Sequence, residues 1–312
     1  MEFDYPMRPI KTVLLTGASS YIGRHLVKHL HQSGFAVVGT YRTGSPVEYG
    51  VTRTVVSSLP MVHLDVSQKA SFLGLPASID AVVHVAAALN KPGTTSAEMF
   101  SANAAGTRNV LRYATSAGAL KIIYTSTLSI HGKIGLGVVD ENTPIVDPDF
   151  YGASKHLGEQ ILASAADSIS TVALRLPGVL GLGAHGAWIP SLVERLLAGR
   201  DVSIYNADAP FNNAVHVDDL GRFVVQLLAK RIWHGFSAFP VGASEPMTIL
   251  DIVTSLRDTL RSKSVVYKSD VATPSFMIDS RCATELYGYA PMRMEEILKQ
   301  YLRDLARFDL HP

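Results

Sequence analysis

Lys11-Thr-Val-Leu-Leu-Thr16, running straight into Gly17-Ala-Ser-Ser-Tyr-Ile-Gly23, is the stretch whose reading decides the fold. Its unbroken apolar middle reads as a strand buried on both faces, the situation of a parallel sheet. Residues 22–30 then carry apolar side chains at helical spacing. Between the two, Gly17 permits a tight turn without a side-chain clash, and Gly23 lets the helix pack close to the strand. The N–H groups of the helix's first turn make a seat for a pyrophosphate. Gly17, Ser19, Ser20, Tyr21, Ile22 and Gly23 are the candidate cofactor residues of that seat.

The same rhythm continues downstream. Residues 36–40, 81–86, 121–126 and 171–176 read as strands, and 100–117 and 151–163 as helices. Such alternation predicts an α/β fold, a Rossmann-type doubly wound parallel sheet. After Pro177 glycine and proline become frequent (LPGVLGLGAHGAWIP). The expected organisation is a dinucleotide-binding Rossmann domain over 1–178 and a smaller C-terminal substrate-binding region over 179–312, interleaved with the sheet. In that region a helix follows Val215, a strand covers 236–241, Thr248-Ile-Leu-Asp251 caps a further helix, and a last helix runs over 294–308.

The second strand ends Val38-Gly39-Thr40-Tyr41-Arg42, with no acid where an adenosine ribose would sit. An acid there selects NAD, whereas an arginine accommodates the extra phosphate of NADP. Arg42 therefore favours NADP(H), with NAD(H) possible, or else it is a solvated loop arginine. Asp65, in His-Leu-Asp-Val, either accepts from adenine's amino group or caps the helix that follows.

Tyr151 and Lys155 are four apart on a predicted helix and share one face. The lysine's charge is expected to favour the phenolate and lower the tyrosine's pKa. Thr127, at the end of a neighbouring strand, supplies a hydroxyl for the same site. The three make a set for moving a proton to or from a sugar or alcohol oxygen beside a hydride carrier.

Composition bounds the alternatives. With 312 residues, 47% hydrophobic and 18% charged, the chain folds around a large core. A net charge of +1 with interspersed signs gives no footprint for nucleic acid or an anionic membrane. No apolar stretch has the length of a membrane span, and the first residues lack a signal peptide's pattern. A cytoplasmic setting is the simplest expectation. Cys282 is the sole cysteine, and the 11 histidines show no ligand spacing, so no catalytic metal is expected.

Further stretches accumulate in order: HVAA from His84, NAAGTRNVL from Asn103, YTSTLSIHG from Tyr124, YGASKHLGE from Tyr151, LRLPGVLG from Leu174 and VHVDDL from Val215. Together with TGASSYIG they make a chain that resembles the extended short-chain dehydrogenases/reductases, in the group of NAD-dependent epimerases/dehydratases, over nearly its whole length. The resemblance implies that Tyr151 is the general acid/base and Lys155 its partner, which also bonds the nicotinamide ribose. It makes Thr127 the hydroxyl that orients the substrate, and Asn103 a positioning asparagine. Ala86, Pro177 and Gly178 are implied neighbours of the cofactor. It also implies a homodimer built on the helices around 100–117 and 151–163.

The departures narrow the activity. Ser20 stands where the second glycine of the turn is usual, and His131 where tyrosine is common. Leu128 and Ser129 replace the Asp-Glu that the family's dehydratases carry after the threonine, which disfavours a 4,6-dehydratase. Asn212 stands where many nucleotide-sugar enzymes of the family place a diphosphate-clasping arginine; Arg175, Arg195 and Arg200 are the possible substitutes. His131, His185 and Asn212 join Thr127 as candidate substrate residues. The implied activity is an epimerase or 4-keto-reductase of a nucleotide-activated sugar. The alternatives are an NADP-dependent reductase of a small non-nucleotide carbonyl compound, or a dinucleotide-binding sensor without turnover.

Overall fold

A computed structural model describes residues 9–43, 59–135, 137–230, 235–271 and 273–309. Seven strands form the central sheet: β1 (Thr12–Thr16), β2 (Ala36–Tyr41), β3 (Met61–His63), β4 (Ala81–His84), β5 (Lys121–Thr127), β6 (Ser170–Leu176) and β7 (Phe236–Pro240). Their order is β7-β6-β5-β4-β1-β2-β3, and every pairing from β3 across to β5 is parallel. The chain thus winds outward from β1 to β3, then returns to β1's other side at β4. A strand order that reverses in this way opens a crevice at the carboxyl ends of β1 and β4, the usual ligand position in such sheets.

The strands are apolar because helices cover them. Leu14, Val82, Ile122 and Ala173, from four adjacent strands, share one core cluster with Val110 and Leu162. Those last two come from the helices α2 (Gly106–Ser116) and α3 (Phe150–Ala163). The helix after β1, α1 (Tyr21–Gln32), buries Leu26, Val27 and Leu30 on one face.

The predicted helix over 100–117 is built differently. A helical turn at Ser96–Phe100, opened by a Thr95/Glu98 capping box, leads into a π-helical turn at Ser101–Ala105 and only then into α2. Such wide turns are rare and concentrate at functional sites; here the turn carries Asn103.

The chain divides into two compact units, each assembled from separated pieces. The first comprises Met1–Gly132, Asp147–Arg175 and Gly221–Ala238; the second comprises Lys133–Val146, Leu176–Leu220 and Phe239–Pro312. Residues 221–238 return to the first unit, where the strand beginning at Phe236 extends its sheet, and 133–146 belong to the second. The second unit has a separate core of Leu192, Leu196, Ile252, Leu256, Ile297 and Tyr301. Among the described residues no helix is long and apolar enough to cross a membrane.

Candidate active site

The turn after β1 is tightly built. Gly17 has φ +69°, and a Cβ there would lie 2.8 Å from the Ala86 nitrogen; one at Gly23 would lie 2.1 Å from the Gly17 carbonyl oxygen. Both positions exclude any side chain, which leaves a cradle of backbone at the start of α1. Ser20 caps that helix, its Oγ accepting from the Gly23 N–H at 3.1 Å. The hydroxyl that replaces the usual glycine is thus engaged by its own helix. Ser19, Tyr21 and Ile22 are half-buried around the same turn. This close approach of backbone beside a helix start suits a dinucleotide's pyrophosphate.

Thr16 and His84 tie the cradle to β4. Thr16 Oγ1 accepts from the N–H groups of Val85 and Ala86, both at 3.2 Å, and lies 2.7 Å from His84 Nδ1. Thr107 donates to the Asn103 carbonyl at 2.6 Å, so its oxygen is left to accept from His84 Nε2 at 3.1 Å. That fixes the proton on Nε2 and makes Nδ1 the acceptor of the Thr16 hydroxyl. Burial, and secondly the charge of Lys155, push His84 down to about 3, so the imidazole is neutral.

Two adenosine-side candidates lie on loops after their strands. Arg42, just beyond β2, is exposed, and its carbonyl lies 3.0 Å from His63 Nε2. Asp65 accepts from both the N–H and the hydroxyl of Ser67, at 2.9 and 2.7 Å, a local turn ahead of the 3₁₀ helix Lys69–Gly74, whose own N-cap, Gln68, makes no side-chain capping bond.

The catalytic candidates come together through one glycine. Thr127 ends β5 and caps the short 3₁₀ turn Leu128–His131, accepting from the Ser129 N–H at 3.2 Å. Gly152, next to Tyr151, packs against that turn so closely that a Cβ would lie 2.2 Å from the Ser129 carbonyl oxygen. Asp149 caps α3 through Gly152's N–H at 2.7 Å. Asn103 accepts from the Ala88 N–H at 2.8 Å and donates to the Ala88 carbonyl at 2.9 Å and to Ser154 Oγ at 3.0 Å. Ser154 in turn donates to the Tyr151 carbonyl at 2.8 Å. One buried amide therefore locks the loop beyond β4 to the tyrosine's own turn of helix.

The electrostatics differ from the sequence expectation at Tyr151. Burial, and secondly the carboxylate of Asp149, raise its phenol to about 12, whereas the sequence argument expected Lys155 to lower it. The lysine is itself disfavoured as a cation. Lys155 is fully buried, with Nζ 3.9 Å from the centre of the Tyr124 ring, and burial pushes it down to about 7 against the opposing pull of Glu159. Glu159 lies one helical turn beyond, accepting from Ser126 Oγ at 2.5 Å and from Arg175 Nη2 at 3.0 Å.

His131 is fully buried at the end of the 3₁₀ turn. The remaining candidates belong to the second unit. Pro177 is half-buried, and Gly178 opens a short strand, Gly178–Leu180, paired with Ala214–His216. His185 is exposed, its Nδ1 3.0 Å from the Gly183 carbonyl.

Asn212 requires a correction. It is buried, and its amide donates to the carbonyls of Ala243 and Ile278 at 3.0 and 2.8 Å while its oxygen accepts from the Ile278 N–H at 2.8 Å. All three bonds knit backbone segments together, which takes the side chain out of substrate recognition. Of its possible substitutes, Arg175 is committed to buried Glu159, Arg195 donates to the Asp201 carbonyl at 2.7 Å, and Arg200 is exposed.

Sequence reasoning missed Thr16, Gly152, Ser126 and Glu159 as parts of the site. Gly152 and Glu159 had a signal, since one adjoins Tyr151 and the other follows Lys155 by one helical turn. Thr16 and Ser126 gave none, because their partners are 68 and 33 residues away.

A family model described as the NAD dependent epimerase/dehydratase family matches residues 13–236. A dTDP-4-dehydro-6-deoxy-D-allose reductase from a Streptomyces species is 25% identical, the match covering 94% of this chain and 95% of the relative. A UDP-glucose 4-epimerase 4 from Oryza sativa subsp. japonica is 26% identical over 78% of this chain and 75% of its own length. Among solved structures, the Bordetella bronchiseptica enzyme WbmG in complex with NAD and UDP superposes with a TM-score of 0.79 at 21% identity, covering 96% of each chain.

Proposed function

The chain belongs to the NAD dependent epimerase/dehydratase family, enzymes of the extended short-chain dehydrogenase/reductase type, and from that membership we propose a specific activity. It is an epimerase or 4-keto-reductase of a nucleotide-activated sugar, with Tyr151 as general acid/base. One observation carries the reading: Gly152 seats the Tyr151 helix directly on the turn that issues from Thr127. The similar reductase and epimerase support hydride chemistry at a sugar carbonyl.

The backbone turn from Gly17 to Gly23 would hold a nicotinamide dinucleotide, which would supply or take up the hydride. Tyr151 takes the proton of a substrate hydroxyl during oxidation and returns it to a carbonyl oxygen during reduction. A phenol at about 12 is a poor base at neutral pH, so the phenolate needs a nearby positive charge. Lys155 is the residue assigned to supply it. Thr127 holds the substrate oxygen, its hydroxyl exchanging the Ser129 contact for the substrate. Leu128 and Ser129 offer no acid or base, which sets dehydration aside. Arg42, exposed beyond β2, favours NADP(H) over NAD(H). A homodimer in a cytoplasmic setting completes the proposal.

The test is turnover of a panel of UDP- and dTDP-sugars and their 4-keto forms with each dinucleotide. Tyr151→Phe is expected to lose at least about 10²-fold in kcat while binding the dinucleotide normally. Near-normal turnover by that variant refutes the mechanism, and tighter binding of NAD than NADP refutes the role of Arg42. A second reading, reduction of a small non-nucleotide carbonyl compound, is favoured by Asn212 being buried where a diphosphate arginine was sought. Failure of the whole panel to bind or react selects it.

A further inference from the structure

Lys155 lies in an unusual place for an ammonium group. It is among the largest fully buried side chains, and it sits on the face of Tyr124. An ammonium removed from water in this way is costly to keep charged. Burial drives the Tyr124 phenol well above its ordinary range, so that ring remains neutral and offers only its π-face. His84, tilted against the same ring at 5.3 Å between centroids, is neutral too.

Among the described residues the anion that acts on the lysine is Glu159, four residues further along α3 and therefore on the same helical face. Burial disfavours its carboxylate as well. It is nevertheless held below the usual range by His156 at 3.9 Å, by the charge and bonds of Arg175, and by the Ser126 hydroxyl. Arg175 comes from β6 and Ser126 from β5, so three elements converge on this carboxylate. Ser126 is the residue immediately before Thr127.

We infer that Glu159 is a positioning residue for the Tyr151–Lys155 chemistry: from within the helix it supplies the counter-charge that favours the ammonium form of the buried Lys155 over the Tyr124 ring, and through Ser126 it pins the strand end that presents Thr127. One carboxylate thereby sets both the charge of the lysine and the placement of the threonine. Arg175 keeps that carboxylate ionised, and its own charge offsets part of the field that Glu159 exerts on the lysine. Among the described residues, the groups around the lysine are thus Glu159 on its own helix, Tyr124 on β5, His84 on β4, and Arg175 on β6 acting through Glu159.

The inference rests on the catalytic reading above, yet it is testable without a substrate. The full-length protein labelled at lysine Cε carbons is titrated by NMR, with the Lys155 signal assigned by its loss in Lys155→Met. The wild-type signal is expected to titrate near 7. Glu159→Gln is expected to move that midpoint down by about one pH unit or more, and Glu159→Asp to restore most of it. Ser126→Ala is expected to leave the midpoint in place while lowering kcat several-fold, since it removes only the pin on the strand. Where Glu159→Gln fails to fold, the Glu159→Gln/Arg175→Gln double variant is read against Arg175→Gln alone, so that only the carboxylate differs between the two.

An unmoved Lys155 midpoint in whichever variant folds overturns the inference. So does a fall in kcat for Ser126→Ala matched by an equal shift in the lysine's titration, because then the two effects are not separate. Absence of sugar-nucleotide turnover by the wild type, with the lysine shift intact, rejects the proposed substrate and leaves this inference standing.

Discussion

Replacing Gly152 by alanine puts a single methyl where the site has no room. Its Cβ would lie 2.2 Å from the Ser129 carbonyl oxygen and 2.7 Å from the carbonyl carbon, whereas ordinary contact begins at 3.4 Å. Either α3 or the turn after Thr127 must therefore retreat by about 1.2 Å, the difference between the first and last of those distances. Overpacking of this kind costs ~1–3 kcal/mol. Alanine's better helix propensity returns ~1 kcal/mol. The net loss of stability is thus modest, a fall in Tm of only a few degrees at about 2–4 °C per kcal/mol. The functional loss is larger, because a displacement of about 1 Å between reacting groups lowers kcat ~10²-fold. The assay pairs thermal unfolding and dinucleotide titration with kcat for Gly152→Ala. Gly137→Ala, where a Cβ meets nothing within 4 Å, serves as control. The expected signature is intact dinucleotide binding, a small drop in Tm and a roughly hundredfold drop in kcat. If kcat stays within about threefold of the parent enzyme, the seating of Tyr151 against Thr127 through this glycine is refuted.

Two further predictions concern residues outside the proton-transfer set. His84 is held at about 3 in the fold and titrates near ~6.5 in the unfolded chain. The unfolded chain therefore binds the extra proton first, and the stability this group contributes is complete above ~6.5 and lost as pH falls through that window towards about 3. Urea unfolding at pH 7 and pH 5 is expected to show a smaller acid loss in His84→Gln than in the parent, and equal losses would sink the assignment. Asn212→Ala leaves the Ile278 N–H and two carbonyls short of a partner and is expected to cost ~3 kcal/mol. The second unit should melt earlier while the KM of the folded enzyme is unchanged; a raised KM with normal melting would return Asn212 to the substrate.

The sequence by itself determined the sheet and pointed to Thr127, Tyr151 and Lys155 as the candidate catalytic set. The apolar run of β1, the glycines at 17 and 23, and the four-residue spacing of Tyr151 and Lys155 are local patterns. Local patterns report backbone conformation and shared helix faces directly. The family followed from the order of such patterns along the chain. The tertiary structure alone decided how those groups are charged and who their neighbours are. Tyr151 is raised by burial, Lys155 is lodged on Tyr124, and Asn212 is spent on the backbone of Ala243 and Ile278. Desolvation and hydrogen bonding depend on which residues from distant parts of the chain close over a group. The partners of Asn212 lie 31 and 66 residues away, a separation that no spacing rule spans.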